Sequence, residues 1–314
     1  MLKLFNQVSH ELCQYENQHK RKMAIIYAFV SQIFFVTMFT CVGMLRKGYT
    51  TQEIVQGRQC IGFILNYLFC YLQKIPIYPK NTLELKLMII RGVMGAIAML
   101  LIFESFKLLN LSDAIVVANT NPIWTTFLAA IFLGENLSKK SVIFCLISFI
   151  GIVLIIKPAF IFGETTQSTQ IEGRNQFLGG LIALVGAICI SFIQIVVSKM
   201  QKQMKLNNAQ VLMYSYFFTC IISGIVQLDT PNNEFKATPK YLCLISIIGV
   251  LGFIAQLFFS RSFTLEKASI ISPLQYTEVI LSFMIDIFFF NEQIFFVNVI
   301  GSLLVVLGSI AILI

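Results

Sequence analysis

The chain has 314 residues, of which 57% are apolar and only 12% charged, and its mean hydropathy is +0.81. A soluble domain carries about 25% charged residues, so this chain cannot cover itself with polar surface, and lipid must solvate much of it. A net charge of +8 is compatible in sign with a nucleic-acid partner, but Lys and Arg are spread over connectors instead of gathered in one patch. That partner is excluded, and the lipid bilayer is the expected one.

A bilayer core about 30 Å thick needs about 20 apolar residues per helix. Ten such runs are expected, at 24–45, 54–72, 88–109, 113–133, 141–156, 178–198, 209–228, 241–261, 269–290 and 294–313. They are long and continuous, without the ten-residue alternation of a barrel strand, so the fold class is all-α integral membrane. Residues 1–23 are polar and lack the apolar core of a cleavable signal, so they are expected to form a tail, with the first span as its own insertion signal. With that tail in the cytosol, fourteen connector Lys and Arg fall on the cytosolic side and seven on the other. The bias places both termini in the cytosol. Seven of the eight cysteines lie within the expected spans. No CxxC or Cys/His spacing suggests a zinc site or a disulfide framework, so they read as small buried hydrophobes.

Sliding the sequence by 157 residues lays RGVMGAIAMLLIFESFKLL, from Arg91, onto IGVLGFIAQLFFSRSFTLE, from Ile248. Gly92 meets Gly249, Gly95 meets Gly252, Ser105 meets Ser262, Thr120 meets Thr277 and Glu135 meets Glu292, all without a gap. Polar and glycine matches in one register are hard to obtain by chance. The chain therefore reads as one unit used twice, over 24–157 and 177–314, with a polar linker at 158–176. Five spans per unit is an odd number, so the second copy must enter the bilayer from the opposite side. Inverted repeats of this kind are a signature of secondary transporters, with sites near the midplane between the copies.

The run Leu111-Ser112-Asp113-Ala114, then Asn121-Pro122 and Gly134-Glu135, resembles the EamA unit of the drug/metabolite transporter superfamily. The second copy carries Lys267-Ala268-Ser269, Pro273 and Asn291-Glu292, with Asn291 where the pattern has glycine. RGVMG at 91–95 and FESFKLLNLSDA are most similar to the solute carrier 35 group, particularly its G branch. The resemblance covers about 25–314. It implies ten transmembrane helices in two inverted five-helix EamA-like repeats. It also implies alternating-access transport of a small polar organic solute, nucleotide-sugar-like or another organic anion. The alternative is a non-transporting scaffold or regulator on the same fold.

The register sets Asn121 on Glu278 and Asn119 on Tyr276, each about halfway along its span. A carboxyl at a helix centre costs roughly 2.5–3.5 kcal/mol on insertion scales, so Glu278 is expected to face a cavity or a partner. There it would be the group for proton coupling; the competing reading is an interhelical hydrogen bond. Asn119, Asn121, Trp124, Gln275 and Tyr276 are the other cavity residues, weighed against packing and helix-bridging roles. Pro122 and Pro273 are expected to kink their helices. Gly92, Gly95, Gly249 and Gly252 are expected to permit close helix packing. Arg91 is placed at the opening of the third span, attracting an anion or snorkelling to the interface. Glu104 and Arg261 are gate candidates, with local Glu104–Lys107 pairing and snorkelling of Arg261 as their plainer readings. Both histidines lie in the tail, and no HExxH, GxSxG or ion-filter run occurs. No enzyme, metal or cofactor is expected, and the oligomeric state is left open.

Overall fold

The computed structural model describes residues 16, 18–45, 49–108, 111–136, 139–156, 176–228, 238–290 and 296–313, and every regular element among them is a helix. The first half holds α1 (Lys20–Leu45), α2 (Thr51–Leu72), α3 (Thr82–Leu108), α4 (Leu111–Ala118), α5 (Asn121–Leu133) and α6 (Lys139–Ile156). The second holds α7 (Gln176–Lys202), α8 (Asn208–Leu228), α9 (Pro239–Leu265) and the single-turn α10 (Ala268–Ile271). A 3₁₀ turn (Ser272–Tyr276), α11 (Thr277–Phe290) and α12 (Phe296–Leu313) follow. Outside the breaks, each element end in the second half falls 156 or 157 residues after its counterpart, as with Thr82 and Pro239, or Ile156 and Leu313.

Six stretches are long and apolar enough to cross a membrane: Lys20–Val42, Thr82–Ile102, Ile115–Leu133, Phe177–Lys202, Asn208–Val226 and Pro239–Leu265. The first half of α2 is more polar, because it carries Glu53, Gln56, Arg58 and Gln59. It begins with a capping box. Thr50 Oγ1 accepts from Glu53 N at 3.3 Å, and Glu53 Oε2 accepts from Thr50 N at 2.7 Å. Two of the amide N–H groups that a helix start leaves orphaned are satisfied in this way. Pro239 opens α9 after a Thr238 cap, where its missing N–H costs nothing.

The packing repeats along with the elements. α1 lies on α9, and the counterpart contact sets α7 on α3; likewise α2 packs on both α8 and α9, and α8 on both α2 and α3. Counterpart helices that touch run antiparallel. Along α2 and α8, Asn66 Nδ2 donates to Ala209 O at 2.9 Å near one end, while Gln56 approaches Gly224 toward the other. α6 and α12 cross closely, since a Cβ on Gly151 would stand 2.6 Å from Gly301 O, and one on Gly301 equally close to Gly151 O. Large apolar residues such as Ile64, Ile131, Ile225 and Leu303 point outward, whereas Asn66, Ser148, Ser191 and Gln194 are buried. This distribution suits lipid as the outer solvent, because small and polar residues hold helices together where the hydrophobic effect does not.

The third span differs from expectation. α3 starts at Thr82, so Arg91 stands nine residues inside it, about 13 Å along the axis, and is only 3% exposed. It neither opens the span nor snorkels. The charged residues Glu84 and Lys86, which set the expected start at 88, belong to the helix: Glu84 folds back and accepts from Lys80 N at 2.8 Å. α1 likewise begins at Lys20, inside the expected tail.

Candidate functional site

The segments expected as the fourth and ninth spans are interrupted where the sequence led us to expect kinks. In the fourth, Asn119 and Thr120 form a turn and Pro122 occupies the first turn of α5. A proline inside a continuous helix would clash with the carbonyl four residues back and leave it unbonded. The exposed end of α4 is instead satisfied locally. Asn119 Nδ2 donates to Ile115 O at 2.9 Å and Thr120 Oγ1 to Val117 O at 2.7 Å. In the ninth, Pro273 lies in the 3₁₀ turn, which Thr277 Oγ1 closes by donating to Leu274 O at 2.7 Å. Backbone irregularity at membrane depth requires such replacement partners.

The two breaks abut, with α7 beside them. Ser272 Oγ donates to Pro122 O at 3.4 Å, joining one break to the other. Ser191 Oγ on α7 donates to Asn121 O at 2.8 Å, which Thr125 Oγ1 also reaches at 2.9 Å. Gln194 Oε1 accepts from Thr125 Oγ1 at 2.8 Å, and Gln194 Nε2 donates to Gln275 Oε1 at 3.1 Å. Thr125, Ser191 and Ser272 are fully buried, and Gln194 nearly so. The result is an uncharged amide and hydroxyl cluster spanning both halves.

Three polar groups on the two interrupted segments lack hydrogen-bond partners among the described residues. Asn121 Oδ1 and the Tyr276 hydroxyl are buried without a hydrogen bond. Glu278, the second residue of α11, is half-buried and makes no hydrogen bond or ion pair. Other expected cavity residues are occupied differently. Trp124 Nε1 donates to Thr120 Oγ1 at 3.2 Å within its own segment. Tyr276 is fully buried in an apolar cluster with Cys145, Ile152 and Val305 between α6 and α12. Gln275 joins the polar cluster. Ser191, Gln194 and Thr125 were not singled out from the sequence. The available signal was Ser191, Gln194, Ser198 and Gln201, spaced three, four and three apart along one face of an otherwise apolar helix.

Among the glycines, a Cβ on Gly92 would meet Phe218 at 2.6 Å and Tyr214 O at 2.9 Å, and one on Gly249 would collide with Ile61. Gly252 faces Met38 and Arg58, while Gly95 has only ordinary contacts.

At one end of the molecule, Glu135 gathers three elements just past the end of α5. It accepts from Ala268 N at 3.0 Å, from Ser269 N at 3.1 Å and from Ser269 Oγ at 2.8 Å, and it meets Lys202 Nζ at 3.3 Å. Burial alone would raise its pKa. The Ser269 backbone bond, the Lys202 charge and the remaining Ser269 and Ala268 bonds outweigh that and hold it below the ordinary carboxylate value. Near the same end, Arg261 does not snorkel alone: its Nε meets Glu16 Oε1 at 2.6 Å. Glu104 is exposed. The side chains of Lys107 and Asp286, and the whole of residues 291 and 292, lie outside the described residues. No group of three or more His, Cys, Asp or Glu among the described residues could hold a metal ion.

A chain whose described elements are all helices, apolar outward and built twice around a polar seam, is a multi-pass membrane protein. The EamA-like transporter family matches residues 22–157 and 177–314, and the chain belongs to that family. It is similar to a probable transport protein of Saccharomyces cerevisiae, 29% identical over 243 residues, covering 73% of this chain and 67% of that one. It is also similar to solute carrier family 35 member G1 of Mus musculus, at 28% identity over 70% of this chain. That match spans about three fifths of the mouse protein's length, 59%. The pseudopaline exporter CntI of Pseudomonas aeruginosa is 23% identical, covering 92% of this chain and 95% of that one. A solved crystal structure shares the fold, with a TM-score of 0.75, 15% identity, and coverage of 92% of this chain and 97% of that one. The likeness to the solute carrier 35 G branch, read from RGVMG at 91–95 and FESFKLLNLSDA, agrees with these relatives.

Proposed function

We propose that the chain is a secondary transporter of a small polar organic solute, working by alternating access. It has ten membrane-crossing segments in two inverted five-segment repeats, 24–157 and 177–314, joined by the linker 158–176, with both termini cytosolic. Contact between counterparts supports the inversion: α2 and α8 hold the same place in each half yet run antiparallel, as do α6 and α12. A family of transporters and a relative named as an exporter support the direction of the reading.

The observation that carries it is the abutment of two broken helices around a buried polar cluster. On the same two segments Asn121 Oδ1 and the Glu278 carboxyl have no partners among the described residues. An unpaired acceptor and an unpaired carboxyl at the midpoint of apolar segments are costly unless a solute or a proton occupies them in the working cycle. In this reading Asn121, Gln275 and Gln194 present amides to uncharged polar groups of the solute, and Glu278 takes and releases a proton from alternate sides. The Glu135 contacts with Ser269 and Lys202 close the cytosolic end and must part for release on that side.

Reconstitution into proteoliposomes with a panel of labelled metabolites, with and without a pH gradient, tests this. Wild type is expected to accumulate at least one solute in a gradient-dependent manner. Glu278→Gln is expected to lose the gradient dependence while retaining exchange. Gradient-dependent uptake by Glu278→Gln removes the coupling role. Failure to move any solute, together with capture of a specific protein partner, favours the scaffold.

A further inference from the structure

Two arginines lie inside the helical bundle without counter-charges among the described residues. Arg91, on α3, is 3% exposed, and its Nε and Nη1 are buried with no hydrogen-bond partner among the described residues. Arg58, on α2, is half-buried. Its Nε is likewise unpartnered, and its Nη1 reaches only the Met38 thioether at 3.6 Å, a weak acceptor. Tyr216, on α8, is buried, and Gly92, next to Arg91 on α3, lies against Tyr214 O and Phe218 of the same α8. The Tyr216 ring packs against Gly62, one helical turn beyond Arg58 on the same face of α2. α8 touches both α2 and α3, so it bridges the two arginines.

Among the described residues no carboxylate bonds to either arginine: Glu278 is unpaired but contacts neither, and four others are committed elsewhere. Glu16 pairs with Arg261, Glu135 with Lys202, and Glu53 and Glu84 cap their own helices. Ionisable groups within membrane segments face a partner or a water-filled cavity and mark solute pathways, and a buried charge left uncompensated is strongly destabilising. A planar guanidinium fork fits two oxygens of a carboxylate or phosphate at once.

The geometry points to an oxyanion site between Arg58, Arg91 and Tyr216, so that the solute carried is an organic anion held by its carboxylate or phosphate. This deepens the transport reading above and rests on it. The guanidiniums bind the two oxygens and the Tyr216 hydroxyl donates to one of them. Arg91 stands nine residues inside α3, which favours a soluble anion over a lipid headgroup held at the bilayer surface.

The full chain in phosphatidylcholine nanodiscs is titrated with succinate, inorganic phosphate and the neutral analogue succinamide, while thermal unfolding is followed. Succinate or phosphate is expected to raise Tm saturably, and succinamide to leave it unchanged. Arg58→Gln and Arg91→Gln are expected to lose that shift. Without anion, Arg91→Met is expected to melt above wild type, because it removes an unpaired buried charge. A residue serving only as structural glue would give the opposite sign. No saturable shift with either anion, or a shift that survives in Arg91→Gln, overturns the site. A shift that appears only when phosphatidylglycerol is added to the discs assigns the pair to lipid and also overturns it. Anion binding without uptake in proteoliposomes would remove the transport reading and leave the site, whereas uptake indifferent to both anions and to Arg91→Gln would do the reverse.

Discussion

Glu135 illustrates how much one side chain can hold when it sits at a meeting of helix ends. Its two oxygens take both backbone amides at the start of α10, the Ser269 hydroxyl and the Lys202 ammonium. Its pKa is lowered from 4.5 in the folded chain. The stability it contributes is therefore present above the unfolded value and is lost as pH falls through the lower folded value. The Tm difference between wild type and Glu135→Gln should be constant from about pH 5.5 to 8 and should shrink only below about pH 4.5. A difference that instead vanishes between about pH 6 and 7 would mean that another group carries the contact. The sequence showed Glu135 only as the close of a motif. Its partners Ser269 and Lys202 come from segments more than sixty residues away, and no local pattern announces such a meeting. The same holds for Gln194, whose polar stripe is visible in sequence while its choice of Gln275 and Thr125 depends on how α7 is rotated.

At the scale of the element, the prolines were the most legible feature. Asn-Pro and Ser-Pro in apolar runs require the backbone to find new partners, and Pro122 and Pro273 both lie at interruptions. The extent of interruption was less legible, since a kink and a break leave the same residues in the sequence. Helix starts were obscured by charge: hydropathy cut α3 at 88, although Glu84 and Lys86 lie within the helix, and Arg91 was misplaced in depth as a result. Helix crossings offer a sharper test. Gly151 faces the Gly301 carbonyl, while a Cβ on Gly180 would meet nothing within 4 Å. Gly180→Ala should therefore stabilise by up to ~1 kcal/mol through reduced backbone freedom. Gly151→Ala should destabilise by ~1–3 kcal/mol through overpacking of α6 against α12. Equal signs in thermal or denaturant unfolding would contradict the crossing.

For the molecule as a whole, the duplication was readable because polar and glycine identities kept one register, and the element ends follow that register closely. The contact between halves can be tested through two thiols. Cys60 Sγ on α2 and Cys220 Sγ on α8 lie 3.1 Å apart, and a mild oxidant should join them with little backbone movement. With a protease site placed in the linker 158–176, oxidised chain should migrate as one species without reductant and as two halves with it. Cys60→Ser should abolish the link. Persistence of two halves after oxidation would argue against α2 and α8 as neighbours.

The pairing of like with like, α2 on α8 and α6 on α12, is the contact geometry of an isologous dimer, in which every surface meets its own copy. In a true dimer of one half-chain, each substitution would appear on both sides of the axis. Any arginine at the α2 position would then face a second one. Fusion into one chain removes that obligation. Opposite Arg58 the second half carries Ser215, opposite Gln59 it carries Tyr216, and opposite Asn121 it carries Glu278. The chain therefore keeps the symmetric frame while its chemistry is one-sided, with a cation, a phenol and a carboxyl each present once where a dimer would hold two.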